Sequence, residues 1–335
     1  MADTSDNQKI HGRGAVRNPA GRFERLQTVT DNDPPDEEDA ADPDRHKRLP
    51  TQIFRDSSKT VISTNDSPDI GMEATLNPYR GCEHGCIYCY ARPTHEYLGL
   101  SAGLDFETKI FAKPDAPNLL REKLMSPSWQ PKVITLSGVT DCYQPAERKL
   151  QITRGCLEVL TEFRNPVAII TKNQLATRDI DLFSELNTHK AAALNFSITT
   201  LDNELCRVME PRASQPKLRL RAVETFAKAG IPVGIMVGPV IPGLTDHEVP
   251  AILEAAANAG AQRAGYTMMR LPYGVKDLFQ GWLAENFPDR AEKVLSRVRE
   301  VRGGKLNDPN FGSRMRGTGE YADHVAQMFK LYRKR

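Results

Sequence analysis

Long apolar runs and a dense cysteine framework are missing from this chain of 335 residues, and tryptophan is scarce, at two. No stretch approaches the roughly 18 consecutive apolar residues of a membrane span, so no membrane-spanning helix is expected. The opening residues, MADTSDNQKIHGRGA, lack the apolar core of a secretory signal, and the expected compartment is the cytoplasm. Six cysteines, three of them within eight residues, exclude a small disulfide scaffold and suit metal ligation in a reducing compartment. No dinucleotide-binding glycine fingerprint is present. A net charge of one sign is also lacking, at +2, but the average conceals a split. Residues 290–335 hold 12 Lys/Arg against 5 Asp/Glu, and the other 289 residues hold 33 against 38. A basic end on a mildly acidic body is a candidate surface for an anion.

What is there begins with a polar segment. Residues 31–44 contain eight acidic residues and three prolines, a composition that cannot offset its ordering entropy by burial, so residues 1–60 are expected to form a disordered tail. Within it, GRGAVRNPAGRFERL (12–26) carries four arginines and a phenylalanine, and reads either as a solvated arm or as a segment that docks on the body or on a substrate. From about residue 72, short apolar runs alternate with amphipathic ones. Strands are expected near 72–77 and over 132–138, 167–171, 192–199, 232–237 and 264–269; helices are expected over 147–164, 179–187, 218–229 and 249–259. This alternation calls for a parallel sheet covered by helices, and six units make a partial (βα)6 TIM-like barrel over 61–275, in the α/β class. Residues 276–335 turn helical, over 277–286, 289–302 and 321–332, as a basic C-terminal extension. Chemistry in such sheets sits at the carboxyl ends of the strands.

The densest chemical signal lies just after the first expected strand. Residues 77–92 read NPYRGCEHGCIYCYAR, with Cys82, Cys86 and Cys89 in Cys-x3-Cys-x2-Cys spacing. Three thiolates on one glycine-relaxed loop can hold three corners of a [4Fe–4S] cluster and leave the fourth iron open. The alternative is a structural zinc site in which His84 or His95 supplies the fourth ligand, although no second Cys-x2-Cys or His-x3-His pair accompanies it.

That loop on a partial barrel resembles the radical S-adenosylmethionine (SAM) superfamily. The segments NPYRGCEHGCIYCYARPTHEYLGL, SGVTDCYQPAER, TKN, MEPR and RLPYGVKDLF are similar to its spore photoproduct lyase-like branch, and the arginine-rich arm and the C-terminal VREVRGGKLNDPNFGSRMRGTGEYA extend the likeness over nearly the whole chain. The resemblance implies two cofactors, a [4Fe–4S] cluster and SAM. One electron from the cluster cleaves SAM to a 5′-deoxyadenosyl radical, which abstracts hydrogen from a substrate, with nucleic acid a candidate. It also implies an electron donor of the flavodoxin or ferredoxin type. The competing reading is a zinc- or cluster-stabilised nucleic-acid-binding protein without radical catalysis.

The resemblance further implies roles at strand ends. Tyr88 takes the aromatic position that lies against adenine, with loop packing as the plainer account. Gly138, Thr140 and Asp141 follow the second strand, where the methionyl ammonium is held, although the Gly-Gly-Glu of many relatives is missing here. Ser197 and Thr199, at the end of the fourth strand, could reach ribose hydroxyls or be plain surface hydroxyls of a strand end. Arg212 could fork onto the SAM carboxylate with Glu210 orienting it, or form a helix-flank ion pair. Lys172 and Asn173 face the same mouth, and residues 238–243 suit a wall for adenine. Cys142 is either a hydrogen donor to a product radical or a small buried hydrophobe. Cys156 and Cys206 lie on expected helices as core or surface residues. Arg297, Arg299, Arg302, Lys305, Arg314 and Arg316 could contact phosphates or form a solvated face.

Overall fold

The computed structural model describes residues 12–19, 21–23 and 49–334. Its strands are β1 (Gln52–Arg55), β2 (Ile62–Thr64), β3 (Ala74–Leu76), β4 (Tyr79–Arg80), β5 (Lys109–Ala112), β6 (Ile134–Leu136), β7 (Val167–Thr171), β8 (Ala192–Ser197), β9 (Val233–Val240) and β10 (Arg263–Met268). The helices of the first half are α1 (Leu104–Thr108), α2 (Ala116–Met125), α3 (Glu147–Leu150), α4 (Ile152–Glu162) and α5 (Ile180–Thr188). Those of the second are α6 (Asn203–Met209), α7 (Pro216–Lys228), α8 (Val249–Asn258), α9 (Val275–Asn286), α10 (Pro288–Glu300) and α11 (Glu320–Arg333).

Six strands run parallel in the order β3-β6-β7-β8-β9-β10, and β2 joins antiparallel beside β3. The order is linear, so the sheet is an open, partial barrel, as the six expected units require. Apolar residues such as Leu136, Ile169, Leu194 and Ile235 face a core closed by α4, α5, α7 and α8. Helix amphipathicity and the glycine stops at Gly230 and Gly260, both with positive φ, place α7 and α8 within two residues of expectation. No helix among the described residues is long and apolar enough to cross a membrane.

Two expectations are corrected. The single helix over 147–164 is broken at Gln151, whose φ is +50°. The break lets the buried Glu147 carboxylate turn back on the next helix, where it accepts from Thr153 N at 3.0 Å and Arg154 N at 3.3 Å. Tyr79 Oη and Arg178 Nη2 complete its shell at 2.5 and 2.8 Å. Nor is 1–60 uniformly a tail. Residues 12–19 and 21–23 are seated on the body, and β1 pairs in parallel with β5 in a small sheet that also contains β4. The remainder of the expected tail up to residue 48 lies outside the described residues.

The C-terminal segment completes the barrel. An edge strand leaves backbone groups unpaired, and at β10 these are covered: Met268 N donates to Met315 O at 2.9 Å and Arg316 Nη1 donates to Tyr266 O at 3.0 Å. Arg302, 3% exposed, donates to the carbonyls of Met268, Met269, Ser313 and Arg314. On another side, α9 and α10 pack Phe279, Trp282 and Val298 in one apolar cluster with Cys86, Ile87 and Tyr88. Glu147→Ala is expected to lower stability by about 3 kcal/mol, because Arg178 and two helix N–H groups lose their acceptor. Urea unfolding measures this, and Glu147→Gln should recover part of the loss.

Candidate active site

The cysteine loop leaves β4 through Gly81, at φ +79°, where a Cβ would lie 2.9 Å from the His95 ring. Its backbone is tied at every turn. Cys82 N donates to Phe106 O at 2.9 Å, Ile87 N to Met209 O at 3.1 Å, and Cys89 N to Cys86 O at 3.2 Å. Arg92, fully buried, reaches back with Nε on Cys86 O at 3.0 Å and Nη2 on Gly85 O at 3.2 Å. Its charge is met by Glu107, also fully buried, at 2.5 Å. Glu107 in turn accepts Gly14 N at 2.9 Å and Ala15 N at 2.8 Å, so the N-terminal arm is locked against the loop. A Cβ on Gly14 would lie 1.8 Å from Gly85 O, and only glycine allows that approach.

Cys82, Cys86 and Cys89 all open on one cavity of about 450 Å³ at the carboxyl ends of the strands. Burial, then the Glu210 carboxylate, pushes the Cys86 thiol well above its ordinary range; burial, then Cys82, lifts Cys89 to about 11. Bound cations would reverse this and favour the thiolates. The donor set fits a cubane cluster. Among the described residues no three His, Cys, Asp or Glu side chains gather on one point as a single ion requires, whereas a cubane takes each thiolate on a different iron. For the zinc alternative, His84 stands beside Cys82 on the cavity wall, although both histidines already have other partners. His84 sets Nδ1 3.4 Å from Asp141 and Nε2 3.3 Å from the Asn173 amide. His95 places Nε2 2.9 Å from Lys109 O, packs its ring on Phe106 and does not line the cavity.

Tyr88, Gly138, Thr140, Asp141 and Ser197 line this cavity with the cysteines. Several are less free than expected. Tyr88 anchors its hydroxyl on the buried Glu210 carboxylate and Thr199, and presents its ring to the space. Gly138 offers its carbonyl to Tyr90 Oη at 2.9 Å. Thr140 Oγ1 donates to Tyr79 O at 2.6 Å. Asp141 accepts Thr171 Oγ1 and Lys172 N at 2.8 Å and Tyr143 N at 2.9 Å, with His84 beside it. Burial opposes its ionisation, yet His84 and these donors hold its pKa below the usual carboxylate range. It is saturated, so a ligand ammonium there must displace an existing donor. Burial also acts against charging His84, but Asp141 and Cys82 carry its pKa up to about 10.

Two placements are corrected. Arg212 turns away from the cavity to Glu83, 3.1 Å, and Thr51, because the carboxylate expected to orient it, Glu210, is held by Arg219 and Tyr88. Cys142, expected as a hydrogen donor or a buried hydrophobe, is fully buried in the barrel core and does not line the cavity, with its thiol pushed up by burial. The cation facing the cysteines is Lys172, with Nζ 3.0 Å from Gly238 O and 3.7 Å from Glu210. Tyr90, Met236, Arg270 and Met315 also line the cavity and were not singled out from sequence. Arg270 had one signal, its place directly beyond the sixth parallel strand.

Glu107→Ala leaves the Arg92 guanidinium buried without its counter-charge, and about 3–5 kcal/mol of stability should be lost in urea unfolding. His95 yields a pH dependence. Burial depresses its pKa to about 4, below its unfolded value near 6.5, so the folded protein excludes a proton that the unfolded chain takes up. Stability from this group is complete above pH ~6.5 and is lost as pH falls towards 4, about 2 kcal/mol of it between pH 7 and 5. Urea midpoints of wild type and His95→Gln at the two pH values should show that much less acid sensitivity in the variant.

Comparison with known proteins places this geometry. The Radical SAM superfamily model matches residues 76–256. An uncharacterized protein of Mycobacterium tuberculosis (strain ATCC 25618 / H37Rv) is 34% identical over 262 residues, 77% of this chain and 74% of that one. One of Methanocaldococcus jannaschii is 27% identical over 197 residues, 59% of this chain and 71% of its own. Among solved structures, spore photoproduct lyase complexed with dinucleoside spore photoproduct superposes with a TM-score of 0.57 at 15% identity, covering 84% of this chain and 77% of that one. A second form of that lyase, with bound AdoMet, gives the same values. At that identity the likeness is one of fold, but the family match spans more than half of the sequence and coincides with the cysteine loop and the strand-end cavity: the chain belongs to the radical SAM superfamily.

Proposed function

We propose that this protein is a radical SAM enzyme that holds a [4Fe–4S] cluster on Cys82, Cys86 and Cys89 and generates a 5′-deoxyadenosyl radical to abstract hydrogen from its substrate. The carrying observation is that three thiols, with no fourth cysteine among the described lining residues, face the same cavity as the ends of the parallel strands. When bound, such a cluster supplies the electron that cleaves the carbon–sulfur bond of SAM.

The chain's own residues then have separable tasks. Arg92 and Glu107 set the loop so that the thiols face inward. Lys172 lines the cavity, is coupled to both Cys86 and Cys89, and is the natural partner for the SAM carboxylate; this role replaces the one expected of Arg212. The Tyr88 ring, fixed through Glu210, and Gly238 and Pro239 on the same cavity supply walls for adenine. Met236, Met268 and Met315 exclude water from the space where a radical would form. An electron donor of the flavodoxin or ferredoxin type and a reducing, cytoplasmic setting belong to the same proposal.

Nucleic acid as substrate draws on the dinucleoside bound by spore photoproduct lyase. Four of the C-terminal arginines do not add to it. Arg297 and Arg299 pair with Glu300 and Glu292, Arg314 with Asp69, and Arg302 is buried among carbonyls.

Anaerobic reconstitution tests the proposal. Wild type is expected to bind iron and sulfide at about four each per chain and to release 5′-deoxyadenosine from SAM on reduction. Cys82→Ala, Cys86→Ala and Cys89→Ala should each remove the visible absorption and the SAM cleavage. Zinc as the sole metal, or cleavage that persists without these thiols, would refute it.

A further inference from the structure

The ionic groups that line the cavity do not balance. Asp141 is enclosed by His84, Thr171, Tyr143 and Lys172. Asp69 is taken by Arg314, 2.6 Å, and by Gly312 N, 2.7 Å. Lys172 lies against Glu210. Two arginines remain. Among the described residues Arg316 has carbonyl and ring contacts alone, donating to Tyr266 O and lying 4.2 Å from the Tyr266 ring centroid. Arg270, half-buried, rests 5.0 Å from the Tyr90 ring centroid, and no carboxylate among the described residues pairs with it. A partly desolvated guanidinium without a counter-anion is an unfavourable arrangement for folding alone. Burial is also the largest influence on Arg270 and lowers its pKa, as an unmatched cation requires.

Position separates these arginines from the cofactor's cation. Lys172 is electrostatically coupled to Cys86 and Cys89, whereas Arg270 is coupled to Tyr90, Arg314 and Asp69. Arg270 stands just beyond the end of β10, and Arg316 is stacked on a β10 residue, so both belong to the wall formed by the sixth strand and the C-terminal segment. Tyrosine rings and the methionines Met236, Met268 and Met315 surround them.

We propose that Arg270, with Arg316 on the same wall, is an oxyanion subsite, and that the substrate carries a phosphate or carboxylate group on an apolar or planar body that this subsite orients toward the cluster. The inference rests on the radical SAM reading for the reaction and on the cavity alone for the binding. A guanidinium fork supported by an aromatic face holds a planar or tetrahedral oxyanion through paired hydrogen bonds, and the tyrosines accept the body of the ligand.

The test uses reconstituted, SAM-loaded protein and equilibrium dialysis with three probes: phenyl phosphate, benzoate and, as the uncharged control, phenol. Wild type is expected to retain at least one anionic probe about tenfold more tightly than phenol. Arg270→Gln should abolish that preference and Arg270→Lys should restore it in part, in proteins with unchanged thermal midpoints. The phosphate and carboxylate arms identify which oxyanion the site takes. Equal retention of all three probes by wild type, or an anion preference that survives Arg270→Gln, overturns the proposal. So does a tenfold loss of SAM affinity in Arg270→Gln, which would assign the arginine to the cofactor. Failure of the radical reading is separately visible, as absence of 5′-deoxyadenosine from wild type whatever the dialysis shows.

Discussion

A single buried ion pair organises the cysteine loop. Arg92 and Glu107 are both shut off from solvent, so each must satisfy all of its hydrogen-bonding capacity within the protein. Arg92 does so on carbonyls of Gly85, Cys86, Ala102 and Gly103, and Glu107 on two amides of the N-terminal arm. Three segments distant in sequence are thereby held to one geometry, and that geometry turns the thiols toward the strand ends. Apolar packing alone would not specify the direction of a loop so rich in glycine and cysteine.

Beneath the cavity a second polar network carries the load from the other side. Glu210 is buried between Arg219, Lys172 and the Tyr88 hydroxyl, and these neighbours outweigh its burial and hold its pKa down at about 2. Tyr88 is thus fixed at both ends, by its backbone within the cysteine loop and by its hydroxyl on the floor. This arrangement accounts for the Met-Glu-Pro-Arg segment better than the expected cofactor role. The carboxylate points inward to hold the tyrosine, and the arginine two residues on is left outside to pair with Glu83.

The C-terminal basic excess has a comparable explanation. An open six-stranded barrel ends in an edge, and the guanidinium groups of Arg302 and Arg316 supply donors to carbonyls along it. What reads from composition as a charged face for a polyanion is in large part a seal for the sheet. Arg270, just ahead of that segment, faces the cavity and forms no ion pair with a carboxylate among the described residues.

Much of this protein could be read from its sequence. The alternating pattern located six parallel strands and the helices between them, because burial on both faces of a sheet and on one stripe of a helix leaves a periodic record. The Cys-x3-Cys-x2-Cys spacing picked out the three cysteines that open on the cavity, because thiols on one short loop are close whatever the fold does. Side-chain direction left no such record. Whether Arg212 or Lys172 faced the cavity, whether Cys142 was exposed, and whether Glu147 ended one helix to cap the next all depended on partners tens of residues away. Only the folded chain brings those partners within hydrogen-bonding distance, and for buried charges that distance decides which way each side chain must turn.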